Sequence, residues 1–474
     1  MPLRMNQTTK PCPPSPTRRS LLGAAAALPV VALPLPVRAQ ATGPISRRLV
    51  IAAGKARLRP APAAETEIWT LDGSMPGPAL RIRHGETLRL TVENRIGLPV
   101  ALHWHGLRGA AAMDGVGGFS QAPIAPGASF DYELTPPDSG TVLYRALVVG
   151  GASEPAGRGL SGLLIVEERT PLAVAQDIPL LVQDWLLDER QLLAPFGRGP
   201  ETAAAGRLGS WLTVNGAAPP HRVAVAPGAR VRLRLANACN ARLMRLRFDG
   251  VKAVVVAVDG QPTDTFEPVR AQLPFAPGSR YDLVVDMPSE PGATAVVTAL
   301  IGSGLPLVRL VAEGPAEPAA TAPAALQPNP ALPAAVRLQD ARRVEMRIEG
   351  GARVTPAFKL DLGGVDPERP WRVNGDTGSV EGKPLFSVRR GTPIVLAIDN
   401  RTAFIQPFHV HGHAFRLLHP LDDGWEPYFL DTVQIPEGKK LHIAFIADNP
   451  GRWLVSSTVL DRFDAGLWSW FEVT

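Results

Sequence analysis

A pattern of turn, strand and turn that recurs three times is what most constrains this chain. The first copy runs Trp69-Thr70-Leu71-Asp72-Gly73, then Gly85, the alternating Leu88, Leu90 and Val92, and Asn94. The second has Val214-Asn215-Gly216, Gly228, Val231, Leu233, Leu235 and Asn237, and the third Trp371-Arg372-Val373-Asn374-Gly375, Gly391, Ile394, Leu396, Ile398 and Asn400. In each copy the second glycine precedes the asparagine by nine positions. Apolar residues at period 2 between turn signals are the pattern of a β-sandwich sheet with one buried face, so three related β-domains are expected. With 45 Gly and 49 Pro in 474 residues, the composition also suits two or three β-rich domains better than a helical fold.

Boundaries are expected near Glu168 and in the Pro/Ala-rich stretch from Gly314 to Pro333, whose prolines suit an extended linker. This divides the chain into an N-terminal signal at 1–39, β-domains at 40–168, 169–313 and 334–474, and a linker at 314–333. The signal reads as one for export, because Thr17-Arg18-Arg19-Ser20-Leu21-Leu22 precedes an apolar run to Leu35 and Val37-Arg38-Ala39 offers small residues for cleavage. The paired arginines point to the twin-arginine route, with a periplasmic destination if the cell is Gram-negative. The alternative is a membrane anchor, but the run is shorter than the roughly 20 residues a span needs and is broken by Pro29, Pro34 and Pro36.

Removal of that segment takes away Arg4, Lys10, Arg18, Arg19 and Arg38 and no acidic residue, leaving as many basic as acidic residues. The balanced chain has no bias toward nucleic acid or anionic lipid. Cys12 leaves with the signal, so Cys239 remains without an intrachain partner, and is expected as a small buried residue beside Asn237 rather than a reactive thiol.

The repeats also locate histidines. Nine residues beyond the repeat asparagine stand His103 in the first unit and His409 in the third, with His105 and His411 two further on, whereas the middle unit has Leu246 and Phe248 there. Residues i and i+2 of a strand face the same way, so each pair projects two imidazoles from one sheet face. Equivalent positions in the first and third domains bring four imidazoles together as a candidate site for copper or zinc. The alternative for either pair is a hydrogen-bonded structural role.

Several further motifs stand in order along the chain. They are Leu102-His103-Trp104-His105-Gly106-Leu107, Met113-Asp114-Gly115, Pro136-Pro137-Asp138-Ser139-Gly140-Thr141, Gly159-Leu160-Ser161-Gly162-Leu163-Leu164-Ile165-Val166, His409-Val410-His411-Gly412-His413-Ala414-Phe415, Asp431-Thr432-Val433 and Ala447-Asp448-Asn449-Pro450-Gly451-Arg452-Trp453. In these the chain resembles the multicopper oxidase family. The resemblance implies an all-β fold of three cupredoxin-like Greek-key β-sandwich domains, a trinuclear copper cluster between the first and third, and a type 1 copper in the third. His103 and His409 match the type 2 ligands, and His105 and His411 match type 3 ligands.

Other family positions carry different residues. Tyr144-Arg145-Ala146-Leu147 stands where the family has His-x-His after a tyrosine, Gln406 precedes Pro407 at a type 1 histidine position, Ser456-Ser457-Thr458 replace His-Cys-His, Arg462 takes the next type 1 histidine position and Leu467 the axial one. A blue copper site needs a thiolate and two imidazoles, and the cysteine is also the electron route to the cluster; Ser457 supplies neither. A guanidinium at Arg145 opposes a divalent ion: at roughly 5 Å and an effective dielectric of about 20, the repulsion is on the order of 6 kcal/mol before relaxation. Arg145 either turns inward to hold the old interface or swings out to a carboxylate such as Asp461 or Asp464.

His413 is expected to support the ligand pair, while His84, His221, His419 and His442 lack a partner at metal spacing. Asp114 is either a proton relay or a turn former, and Asp184-Trp185 resembles a scaffold feature of the middle domain. Phosphate-cradling, dinucleotide and nucleophile-elbow motifs are absent from the sequence. The resulting expectation is an exported protein that binds no copper or a single copper ion. It would lack laccase-type activity and act on an envelope protein partner, like the copper-free, twin-arginine-exported relatives that stabilise the division machinery. The alternatives are a mononuclear copper or zinc protein using His103, His105, His409 and His411, and an oxidase with an unusual electron entry. Oligomeric state is left open.

Overall fold

A computed structural model of the chain describes residues 44–320, 324–355, 359–418, 424 and 426–474. The export segment, Cys12 and His419 lie outside the described residues. Among those described, no helix is long and apolar enough to cross a membrane.

The three repeats build the same sheet corner three times. In each, a strand runs parallel to the Gly-to-Asn strand: Ile45–Ala56 beside Leu88–Asn94, Gln176–Trp185 beside Arg230–Asn237, and Arg342–Gly350 beside Thr392–Asn400. The same strand pairs antiparallel on its other side with the strand that leads into the repeat turn: Thr66–Leu71, Trp211–Val214 and Trp371–Val373. The turn itself has two residues at positive φ, Asp72 and Gly73 (51° and 72°), Asn215 and Gly216 (51° and 77°), Asn374 and Gly375 (53° and 89°). That is the geometry of a tight hairpin turn, which Asn-Gly and Asp-Gly tolerate without a Cβ clash. The turn side chain then accepts a backbone N–H from the neighbouring strand: Val50 to Asp72, Leu181 to Asn215 and Arg347 to Asn374, at 2.7–2.8 Å.

The asparagine that closes each repeat is fully buried. Its Nδ2 donates to carbonyl oxygens of the crossing loops: Leu98 and Ile124 for Asn94, Arg242 and Phe275 for Asn237, and Phe404, Ile435 and Pro436 for Asn400. Its Oδ1 accepts the N–H two residues on, from Ile96, Cys239 and Thr402. The repeat asparagine is therefore a pin that satisfies buried backbone groups where the chain leaves one sheet for the other.

A second sheet faces each of these three, so apart from a two-stranded ribbon of Arg353–Val354 with Leu360–Asp361 the described strands fall into three consecutive pairs of sheets. The alternating apolar residues of the repeats fill the space between the sheets, and Leu246 and Phe248 of the middle pair lie in that core, where the first and third pairs carry histidines. Between Ala312 and Arg342 the described chain has no strand, although Leu326 packs on Val256 and Val284, and Asn329 donates to Asp138 and Gln261. Cys239 is buried at the Asn237 pin. Asp184 accepts the N–H groups of Gly209 and Asn240, while the indole of Trp185 donates to Thr213.

Asn400→Ala removes the amide donor to the carbonyls of Phe404, Ile435 and Pro436 and the acceptor of the buried Thr402 N–H, and is expected to lower stability by about 1–3 kcal/mol. Urea denaturation followed by tryptophan fluorescence measures this; an unchanged midpoint would show that the pin carries no stability.

Candidate functional site

His103 and His105 project from strand Leu102–His105, and His409 from strand Gln406–Val410, with His411 in the turn that follows. All four side chains are buried. Their rings meet: His105 stacks on His409 at 3.7 Å between centroids, His103 lies 4.4 Å from His411, and His103 and His409 are 5.6 Å apart. One ligand atom from each of His103, His409 and His411 fits within a 4.8 Å cluster, as does one from each of His105, His409 and Asp431.

Hydrogen bonding assigns the tautomers. His103 Nδ1 donates to the Asp114 carbonyl oxygen at 2.8 Å and His409 Nδ1 to the Asp431 carbonyl oxygen at 2.9 Å. A carbonyl only accepts, so in both rings the lone pair is on Nε2, and neither Nε2 has a partner among the described residues. His411 Nδ1 donates to the Asp114 carboxylate at 2.9 Å, and its Nε2 lies 3.0 Å from the Ser456 hydroxyl, which donates to it. The Thr432 hydroxyl gives its proton to Asp431, so His105 Nε2, 2.8 Å from that hydroxyl, is the donor and its Nδ1 lone pair is free. His413 Nδ1 donates to the His411 carbonyl oxygen and so steadies the ligand turn.

Burial pushes the His411 imidazole down to about 3 despite Asp114, and burial followed by the neighbouring His409 pushes His105 well below the ordinary range. Burial would raise the carboxyls of Asp114 and Asp431. His411 and His103 outweigh it at the first, and Arg280 with the histidines at the second, so both stay carboxylates. Asp114 thus orients two imidazoles, besides closing the turn Ala111–Met113.

Arg280, which the sequence did not single out, lies beneath the site. Its guanidinium reaches the Asp431 carboxylate and the carbonyl oxygens of Thr141, Gly278 and Asp259, and so joins all three sheet pairs. Gly106, at φ +96°, makes room for it: a Cβ there would sit 2.0 Å from Arg280 Nη2. Asp259 accepts the N–H groups of Asp431, Thr432 and Arg280, and burial followed by Asp431 raises its carboxyl to about 7. A local signal existed in Asp259-Gly260 and Gly278-Ser279-Arg280, two turns that place polar residues at strand starts, but nothing there announced a shared partner.

Arg145 stands directly opposite His103 on the paired strand Gly140–Ala146, and so on the same sheet face. It stays inward. Asp461 and Asp464, the carboxylates considered for it, are engaged elsewhere, the first with the Ser153 hydroxyl and the Arg207 N–H, the second with the N–H groups of Ala152 and Ser153. Arg145 is 2% exposed, and its Nε and Nη1 have no partner among the described residues.

A second locus lies some way along the third sheet pair. Gln406 Oε1 accepts Arg462 Nη1 at 2.7 Å, and Arg462 also donates to the carbonyl oxygens of Ala204 and Ile405 beneath the rings of Trp371 and Phe404. Gln406 Nε2 donates to Thr402, the Ser457 hydroxyl accepts the Val459 N–H, and Leu467 is fully buried. Of the other histidines, His84 bonds to the Pro137 carbonyl and to Arg169.

Three consecutive β-sandwiches of cupredoxin type, with histidine pairs from the first and third meeting between them, define a class of protein. Multicopper oxidase profiles match residues 53–171, 176–305 and 352–474. The chain is 28% identical over 418 residues to Multicopper oxidase MmcO of Mycobacterium tuberculosis, covering 81% of this chain and 79% of that protein. It is 30% identical over 425 residues to Cell division protein FtsP of Sodalis glossinidius, covering 85% of each. A solved multi-copper oxidase from Pseudomonas thermotolerans superposes with a TM-score of 0.80 at 29% identity, over 91% of this chain and 100% of that one. The chain belongs to the multicopper oxidase family.

An unfolded histidine binds a proton near pH 6.5, whereas folded His411 resists one until about pH 3. Between these values the unfolded state holds more protons, so stability contributed at His411 is lost as pH falls. In EDTA, the stability difference between wild type and His411→Gln is expected to move in the variant's favour by up to about 1.4 kcal/mol per pH unit on acidification from 6.5. A difference independent of pH would show that His411 is not held neutral.

Proposed function

We infer that this chain is an exported member of the family that has lost the type 1 and most type 3 copper ligands and works as a non-oxidase, partner-binding or scaffold protein of the envelope. The observation that carries this reading is the filled second locus. An electron entry site needs a thiolate at the position of Ser457, and here the surrounding space is taken by a hydrogen-bonded Gln406–Arg462 pair whose cation stays charged, its pKa lowered by burial only to about 9. A permanent cation amid carbonyl oxygens does not fit copper. At the histidine cluster the full complement does not fit either, since Arg145 and Ser456 stand at ligand positions and the Ser456 hydroxyl occupies the His411 lone pair.

Likeness to proteins named for cell division supports an envelope partner, and the Arg18-Arg19 segment supports export. A second reading has its own observation. His103 and His409 each present a free Nε2 lone pair, and with His411, once its Nε2 exchanges the Ser456 hydroxyl for the ion, they would hold one copper or zinc ion, as would His105 and His409 with Asp431; the ion supplies Lewis acidity when bound.

After copper loading and desalting, the mature protein is expected to retain at most one copper per chain, with no blue absorption and no oxygen uptake with phenols. One copper that disappears in His103→Ala would select the mononuclear reading. Three or four coppers with a blue band would overturn the non-oxidase assignment. For the envelope role, a fluorescent fusion compatible with folded export is expected at the division plane; uniform envelope signal would count against division.

A further inference from the structure

We propose that Arg145 forms a buried binding site for a small monovalent inorganic anion, of the halide or bicarbonate class, beside the two histidine pairs. The inference rests on the reading that the chamber does not hold the four-copper complement.

Arg145 is fixed on the chamber face by its register opposite His103. Its Nε and Nη1 donate to nothing among the described residues, and the charged group that acts on it is another cation, Arg280. Burial lowers its pKa only to about 10, so it remains a guanidinium at neutral pH. Arg280 offers no relief, since its own donors are committed to Asp431 and to the carbonyl oxygens of Thr141, Gly278 and Asp259. A buried cation without a counter-charge is strongly disfavoured, and N–H donors of a guanidinium are suited to an anion.

A second and independent observation bears on the same chamber. The lone pairs of His103 Nε2, His409 Nε2 and His105 Nδ1 are also unpartnered. They cannot neutralise Arg145 as hydrogen-bonded carboxylates would, but they are ligands for a cation. A divalent ion on them would share a sheet face with Arg145, and two positive centres repel. An anion on Arg145 would offset that repulsion, so anion and metal would bind with positive coupling, each raising the other's affinity. The four rings already pack against one another at 3.7–5.7 Å between centroids, which rules out an occupant beyond a few atoms in size. This distinguishes the site from a surface arginine patch, which takes phosphates and acidic peptides.

The test uses the mature full chain, stripped with EDTA and kept at constant ionic strength with a bulky organic anion. Chloride, bromide and bicarbonate are titrated separately, which separates the halide from the bicarbonate source. At least one is expected to raise the thermal midpoint of wild type by about 1–2 °C, with no effect on Arg145→Gln. Zinc affinity is expected to rise about tenfold in that anion for wild type and to be anion-independent in Arg145→Gln. If Arg145→Gln does not fold, crystals of wild type soaked in bromide replace it, and an anomalous peak within hydrogen-bonding distance of the Arg145 guanidinium is the expected result. No stabilisation by any of the three anions together with no bromide peak would overturn the proposal. Copper content is measured on the same preparation: near-zero copper with no anion effect sinks this inference alone, whereas three or four coppers sink the reading beneath it.

Discussion

The Asp431 carboxylate is the interaction on which the centre of the molecule depends. It is buried, and it is reached from every sheet pair: by His105 from the first, Arg280 from the second and His409 from its own. A buried carboxylate is tolerable only with its charge and lone pairs answered, and here a guanidinium, a hydroxyl and two imidazoles answer them. The arrangement also works in reverse. Without the Asp431 carboxylate, Arg280 would become a second buried cation beside Arg145, and the Thr432 hydroxyl would lose the acceptor that makes His105 Nε2 a donor. Asp114 holds the other two rings, His103 through its carbonyl oxygen and His411 through its carboxylate. Orientation of the four rings therefore comes from carboxylates and carbonyl oxygens, which explains how a metal-type geometry is kept by the protein alone.

Much of this was legible in the sequence because it is local. The turns at Asp72, Asn215 and Asn374 and the pins at Asn94, Asn237 and Asn400 act within or next to their own strands, so their spacing survives as a repeat. The same repeat registered His103 against His409. What was hidden is what acts across long separations. Arg280 meets Asp431 from 151 residues away, and neither strand carries a periodic sign of the other. Arg145 was readable as a position but not as a direction, because its direction depends on Asp461 and Asp464 having found Ser153, Ala152 and Arg207, which no spacing announces. The role of Asp114 was divided between a turn and a proton relay, and its observed work is to hold two imidazoles.

The two loci that correspond to the family's copper positions have been resolved by opposite chemistry. At the second locus the substituted side chains engage one another: Gln406 gives an acceptor to Arg462, Arg462 also donates from Nε and Nη1 to carbonyl oxygens and lies against aromatic rings, and Ser457 caps a backbone N–H. The Gln406–Arg462 pair fills this locus, and the Arg462 bond to the Ala204 carbonyl ties the segment after strand Gly451–Ser457 to the middle sheets. It has become part of the core.

The histidine chamber is different in kind. Its outer hydrogen bonds are complete, yet the atoms that face inward, the free nitrogens of His103, His105 and His409 and two nitrogens of Arg145, lack partners. Folding rarely tolerates several such groups in one place unless something supplies the missing charge, because each one costs desolvation free energy without return. Three lone pairs ask for a cation and one guanidinium asks for an anion. The two requirements are opposite in sign and lie on one sheet face, so an occupant that met one would ease the other. Retained imidazoles and an intruding guanidinium, which look contradictory when each is considered alone, are then two halves of one electrostatic requirement.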